Sequence, residues 1–260
     1  MSLVQFFSDL HLEFLNEYKF VGVTKALKVN SDILFLGGDI GNIFANENLA
    51  KFLKYLSPKF NQIYYVCGNH EYYDFNKKHS KYFEDLSDWF NFVHSEMEKI
   101  SFPNINLFTR SNTSTEFLND KELIGCTLWS NIDLSQKERF LREFNDFNYI
   151  PNMTCENYLK EFLHDSSMLS EQLLKSDKAK IVLTHHYPII EPEFGYTTSD
   201  STSLYGSDLN HLLEKSQCWF AGHQHKPSTG KIKNFYTNPI GYRGESFDQN
   251  KKLNTVFPID

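Results

Sequence analysis

Five short apolar runs in this chain stop at residue types that bind cations. Residues 4–7 close in Ser8-Asp9-Leu10-His11, residues 32–36 in Gly37-Gly38-Asp39, and residues 63–66 in Cys67-Gly68-Asn69-His70. Residues 179–183 close in Thr184-His185-His186, and residues 217–221 in Gly222-His223-Gln224-His225. Runs this short, rich in β-branched and aromatic residues, read as buried strands. In α/β folds, ligands gather at the carboxyl ends of strands, so the five polar ends are expected to converge. That expectation constrains the fold more than any other feature of the chain.

The residue types suit cation chemistry. Asp9 and His11 lie two apart, as do His223 and His225, and in extended backbone each pair projects to one side. Adjacent His185 and His186 point to opposite sides, so only one of them is expected to bind a cation. Asn69 offers a carbonyl oxygen to a hard ion, while His70 can bind metal or move protons. Taken singly, each segment also reads as a turn or a helix cap.

At 260 residues the chain is long enough for one domain with a sizeable core, and its 24 Phe and 14 Tyr make it unusually aromatic. A net charge of −7 argues against an extended nucleic-acid surface. No apolar run is long enough for a transmembrane helix. Cys67, Cys126, Cys155 and Cys218 show no metal or disulfide spacing and read as buried free thiols. Such usage, with no leader pattern at the N-terminus, points to the cytoplasm.

Between the runs, the periodicity predicts helices over 46–56, 76–99, 154–175 and 207–215. The 76–99 helix is expected to turn Tyr82, Leu86, Trp89 or Phe90, Val93 and Met97 inward, with His79 and His94 on the surface. Leu159, Phe162, Leu163, Leu169 and Leu173 form the inward stripe of the 154–175 helix. Ser135-Gln136-Lys137-Glu138 reads as a capping box. Asn119-Asp120 reads as a hairpin turn. Residues 145–149 read as a flap, residues 189–207 as a substrate-facing loop, and 229–232 and 235–237 as short strands.

In this order the five motifs resemble those of the calcineurin-like metallophosphoesterases, across nearly the whole chain to Asn238-Pro239. Trp129 after Thr127-Leu128, and the Asn145-Asp146 pair, resemble segments of the superfamily's bacterial, largely uncharacterised branch. The resemblance implies a single domain over 1–260, an α/β fold arranged as a four-layer α-β-β-α sandwich. It implies two divalent or mixed-valence transition-metal ions, of the group Mn, Fe, Zn and Ni. Asp9, His11 and His225 would hold one, Asn69, His185 and His223 the other, and Asp39 both. His185 stands at the motif position, with His186 as the fallback.

The chemistry so implied is hydrolysis of a phosphoester by a hydroxide shared between two metals roughly 3.5–4 Å apart. Asp39 and His70 are the catalytic residues, with His70 as general acid. Asn42, Asp146, His186 and Arg243 are the candidate substrate contacts. The superfamily's protein phosphatases carry Gly-Asp-x-x-Asp-Arg-Gly where this chain has Gly38-Asp39-Ile40-Gly41-Asn42-Ile43. A protein phosphatase is therefore disfavoured, and Asn42 is left as an acceptor for His70. A phosphomonoester dianion is commonly clamped by Arg, which is scarce here. Tyr72, Tyr73, Phe147 and Tyr187 near the motifs could stack on a base. The expected substrate is thus a small, nucleotide-like phosphodiester. A phosphomonoesterase and a non-catalytic metal-binding scaffold are the alternatives.

Overall fold

The computed structural model describes residues 2–190, 204–225, 232, 234–242, 244–245 and 249–259. The expected 229–232 strand apart from Ile232, most of the 189–207 loop and Arg243 lie outside the described residues. Two five-stranded sheets form the centre. In the first, β1 (Leu3–Phe7), β2 (Ile33–Gly37), β3 (Gln62–Val66) and β4 (Ile105–Phe108) run parallel, with β10 (Val256–Pro258) antiparallel beside β1. In the second, β6 (Lys121–Cys126), β7 (Lys180–Thr184), β8 (Cys218–Ala221) and β9 (Phe235–Thr237) run parallel. At its edge β5 (Ser114–Phe117) pairs antiparallel with β6 across the expected Asn119-Asp120 turn.

Strand alternation explains the aromatic content. Phe6, Phe35 and Tyr64 face one buried cluster with Phe117 and Phe220, between the sheets. Phe6 and Phe35 each meet Phe220 edge-on at 5.2 Å. Their neighbours Phe7, Leu34, Leu36 and Tyr65 join the larger cluster beneath the helices. That cluster takes in α2 (Asn48–Leu56), α3 (Leu86–Ile100) and α6 (Cys155–Leu174), so helices cover the outer faces of the sheets in a four-layer α-β-β-α sandwich. All four cysteines are buried and free. No helix among the described residues is long and apolar enough to cross a membrane.

Several local expectations are corrected. α3 starts at Leu86, where Asp85 accepts the Asp88 N–H as N-cap, and not near residue 76. Tyr82 consequently lies outside the stripe and is 70% exposed. His94 is buried, 2.8 Å from the Tyr72 hydroxyl, and burial lowers its pKa to about 4. Asp133 rather than Ser135 accepts the capping N–H ahead of α4 (Lys137–Glu143). Leu163 points to solvent. The 207–215 helix shrinks to α7 (Asn210–Leu213). Residues 146–149 form a short helix, α5 (Asp146–Tyr149), whose first residue is buried. The periodicity gave no sign of α1 (Glu17–Ala26), because it buries no residue fully and so has no sharp stripe. The short α8 (Gln249–Leu253) and β10 also went unanticipated.

Candidate metal centre

The loops after β1, β2, β3, β7 and β8 meet at one end of the two sheets. Backbone hydrogen bonds join them: the N–H of Asp9 donates to Gly38 O (3.0 Å), His11 to Asp39 O (2.9 Å) and Gly222 to His185 O (2.9 Å). Thr127 O, after β6, accepts the N–H groups of both His185 and His186. Gly68 is needed for this approach, since a Cβ there would collide with Asp39 and with His185.

The local geometry differs from the extended pairs expected from sequence. Asp9, His11, Asp39 and His223 all have left-handed backbone, with φ of 56°, 49°, 52° and 64°. Each such residue costs about 1–2 kcal/mol, so the surrounding fold must hold them there, as is typical of functional sites. The consequence is chemical. Instead of pointing together, His223 turns toward His185 and His225 toward Asp9 and His11.

Two donor groups result. In one, His225 Nε2 lies 3.5 Å from Asp9 Oδ1 and 3.0 Å from His11 Nε2. In the other, His185 Nε2 lies 3.1 Å from Asn69 Oδ1 and 3.2 Å from His223 Nδ1. Asp39 stands between them, Oδ2 3.8 Å from His11 Nε2 and Oδ1 3.4 Å from His185 Nε2. These groups fit cations. Asp9 Oδ1 is buried with no hydrogen-bond partner, a costly arrangement unless it faces a positive charge. Imidazole nitrogens facing each other at 3.0 and 3.2 Å likewise suit lone pairs aimed at shared ions.

The buried carboxylates make the centre favour positive charge. Burial alone would lower the His185 pKa, yet Asp39 and Asp9 raise it to about 9. Burial also opposes a charged Asp39, but His185, His70 and His11 hold its carboxyl well below the usual range. His223 is kept neutral by burial and by His185.

Two carboxylates that the motif reading left unassigned hold the centre together. Glu71 accepts the N–H groups of Asp39 (2.9 Å), Ile40 (2.8 Å) and Gly68 (2.7 Å) and the Tyr65 hydroxyl (2.7 Å), fastening the second loop to the third. Glu13 is the larger omission. Its Oε1 lies 2.8 Å from His70 Nδ1 and 3.2 Å from His11 Nδ1, and the side chain is 1% exposed. Burial would raise the Glu13 pKa, but hydrogen bonds from both imidazoles bring it down to about 2. For His70, burial would lower the pKa, while Asp39 and Glu13 raise it to about 9. The signal was present in the sequence, since Glu13 follows His11 by two residues.

Partners of this kind, which orient metal-binding histidines through the far ring nitrogen, are typically worth about 10–100-fold. Glu13→Gln is therefore expected to lower kcat by about that factor under saturating Mn. Unchanged kcat in a steady-state phosphoester assay would leave Glu13 a merely structural residue.

The sequence-predicted substrate contacts are placed as follows. Asn42 is buried; its amide donates to the carbonyls of His70 (2.6 Å) and Tyr73 (2.8 Å), and its oxygen accepts from Phe44 and Ala45. It therefore does not accept from the His70 imidazole, whose Nδ1 faces Glu13. Asp146 lies beneath Asn69, taking hydrogen bonds from its amide (2.8 Å) and from the Tyr73 hydroxyl (2.5 Å). That fixes the Asn69 oxygen toward His185. His186 stacks on His223 at 3.9 Å, with Nδ1 2.8 Å from the Ser130 hydroxyl and Nε2 without a hydrogen-bond partner. It joins His185 and His223 in one possible ligand group. Tyr72, Tyr73 and Tyr187 are core residues, which corrects their reading as stacking surfaces. Phe14 and Tyr242 are the exposed rings near His11.

The chain is 31% identical, over 94% of its length and 93% of the relative's, to an uncharacterised protein of Acanthamoeba polyphaga mimivirus. Its fold is similar to the phosphopantetheinyl hydrolase of Mycobacterium tuberculosis, with a TM-score of 0.72 at 14% identity over 94% of this chain and 91% of that one. A calcineurin-like phosphoesterase of Bacillus subtilis matches at a TM-score of 0.42 and 13% identity, covering 88% of this chain and 73% of that one. The profile of one family runs from β1 past the last histidine of the centre, over residues 4–227, and by that match the chain belongs to the calcineurin-like phosphoesterases.

Proposed function

We propose that the chain is a hydrolase of phosphodiesters that works with two transition-metal ions. The observation that carries this is Asp39, whose two carboxylate oxygens face two separate histidine-bearing donor groups. Asp9, His11 and His225 would hold one ion, Asn69, His185 and His223 the other, and Asp39 both. When bound, such a pair supplies Lewis acidity and an activated water. The chain's own residues do the rest. Glu13 takes Nδ1 of His70 and leaves Nε2 facing the centre, 4.0 Å from Asp39 Oδ2. From there His70 donates a proton to the leaving oxygen.

The choice of a diester rests on charge. Arg110 is paired with Glu161, and Arg139 and Arg142 with Glu143. Among the described residues, no arginine is placed at the centre to clamp a dianion. Under saturating Mn, kcat/KM for bis-p-nitrophenyl phosphate is expected to exceed that for p-nitrophenyl phosphate. A tenfold preference for the monoester, about 1.4 kcal/mol in the transition state, would make the chain a phosphomonoesterase and Arg243 the first clamp to test.

A further inference from the structure

Beside the centre lies a cleft of about 520 Å³, within the range of small-molecule sites. Phe14, Leu15, Tyr18 and Val21 line one wall, Ile240 and Tyr242 another. The cleft is continuous with the donor groups. His11 is part of its lining, Tyr242 stacks on His11 at 4.3 Å, and Phe14 lies 6.0 Å from His70. Phe14 is 52% exposed and Tyr18 87%, so much apolar surface beside the reacting groups is left in water.

Two further observations point to a ligand. Gly22 lies within α1 and lines the cleft, and a Cβ added there would meet nothing within 4 Å. Glycine is the poorest residue for a helix interior apart from proline, and no neighbour requires it here. A large side chain there has room to enter the cleft, whereas a methyl group would not block it. The charge is also selective. The chain carries 33 acidic against 26 basic residues, yet the described lining contains Lys19 and Lys25 and no carboxylate.

We propose that the cleft binds an extended, alkyl-like arm of one of the two groups esterified to the phosphate, which makes the substrate a phosphodiester with a long apolar substituent. The proposal rests on the phosphodiesterase reading above. Phosphate at the donor groups would direct one ester oxygen past His11, between Phe14 and Tyr242. Each methylene buried there strengthens binding by up to about fourfold.

The test is calorimetric titration of the Mn-loaded protein with methyl, butyl and hexyl members of a methylphosphinate series, CH3–PO2−–R, which are monoanions with no ester bond to hydrolyse. The Kd is expected to fall at least about tenfold from methyl to hexyl. Gly22→Phe, which fills the cleft, should remove most of that gain, and Gly22→Ala should keep it. Equal affinities across the series would overturn the proposal. So would a wild-type dimer in sedimentation that Tyr18→Asp dissociates, since a second copy would then own the surface. Turnover of methyl p-nitrophenyl phosphate is read separately. A chain-length gain without turnover supports the cleft and sinks the phosphodiesterase reading; turnover with a flat series does the reverse.

Discussion

His70→Asn is expected to lower kcat by about 10²–10⁴-fold, the usual contribution of a general acid, while bound metal stays at the wild-type level. The separation follows from where the imidazole's contacts lie. His70 Nδ1 is held by Glu13, and Nε2 sits 4.0 Å from Asp39 and 3.3 Å from the Tyr242 hydroxyl. The two donor groups are complete without it. The loss should shrink for diesters releasing p-nitrophenol, which hardly needs a proton, and be largest for those releasing an aliphatic alcohol. Equal losses for both leaving groups, or a parallel loss of metal, would remove His70 from the role of acid.

Asp39→Asn is expected to do more damage, beyond about 10⁴-fold, because charge neutralisation and water activation fail together. The substitution is nearly isosteric. Asn can still accept the His70 N–H that Asp39 Oδ1 accepts at 2.9 Å, so the loop geometry has no reason to collapse. What disappears is the negative charge that faces His11 on one side and His185 on the other. Elemental analysis should find both ions depleted. If one ion stayed at full occupancy, Asp39 would belong to a single donor group.

The convergence of seven dispersed residues was legible because each stands at the end of a strand whose apolar character is unambiguous, and parallel strands bring such ends to one edge. How they divide between two donor groups was legible only through the family resemblance, which sets His223 apart from His225. Extended backbone predicts that His223 and His225 share a side, whereas the left-handed turn at His223 sends them to different donor groups. Backbone conformation of this kind is set by the loops packed around it, and residue type gives no warning. Glu13 was missed for a related reason. A motif reading looks for the His70 partner in the Gly-Asp loop, where Asn42 stands, and the carboxylate comes instead from the turn after β1. Tyr72, Tyr73 and Tyr187 were close to the motifs in sequence but pack into the core, so chain proximity overstated their access. The cleft wall depends on α1, which buries no residue fully and gave no periodic signal.

In the proposed mechanism two ions work together across Asp39. The most direct measurement is elemental analysis of Mn-reconstituted wild-type protein, paired with phosphodiester turnover on the same sample. Two ions per chain, with activity lost on chelation and regained with Mn, is the predicted result. Full activity with one ion per chain, or with none, would contradict it.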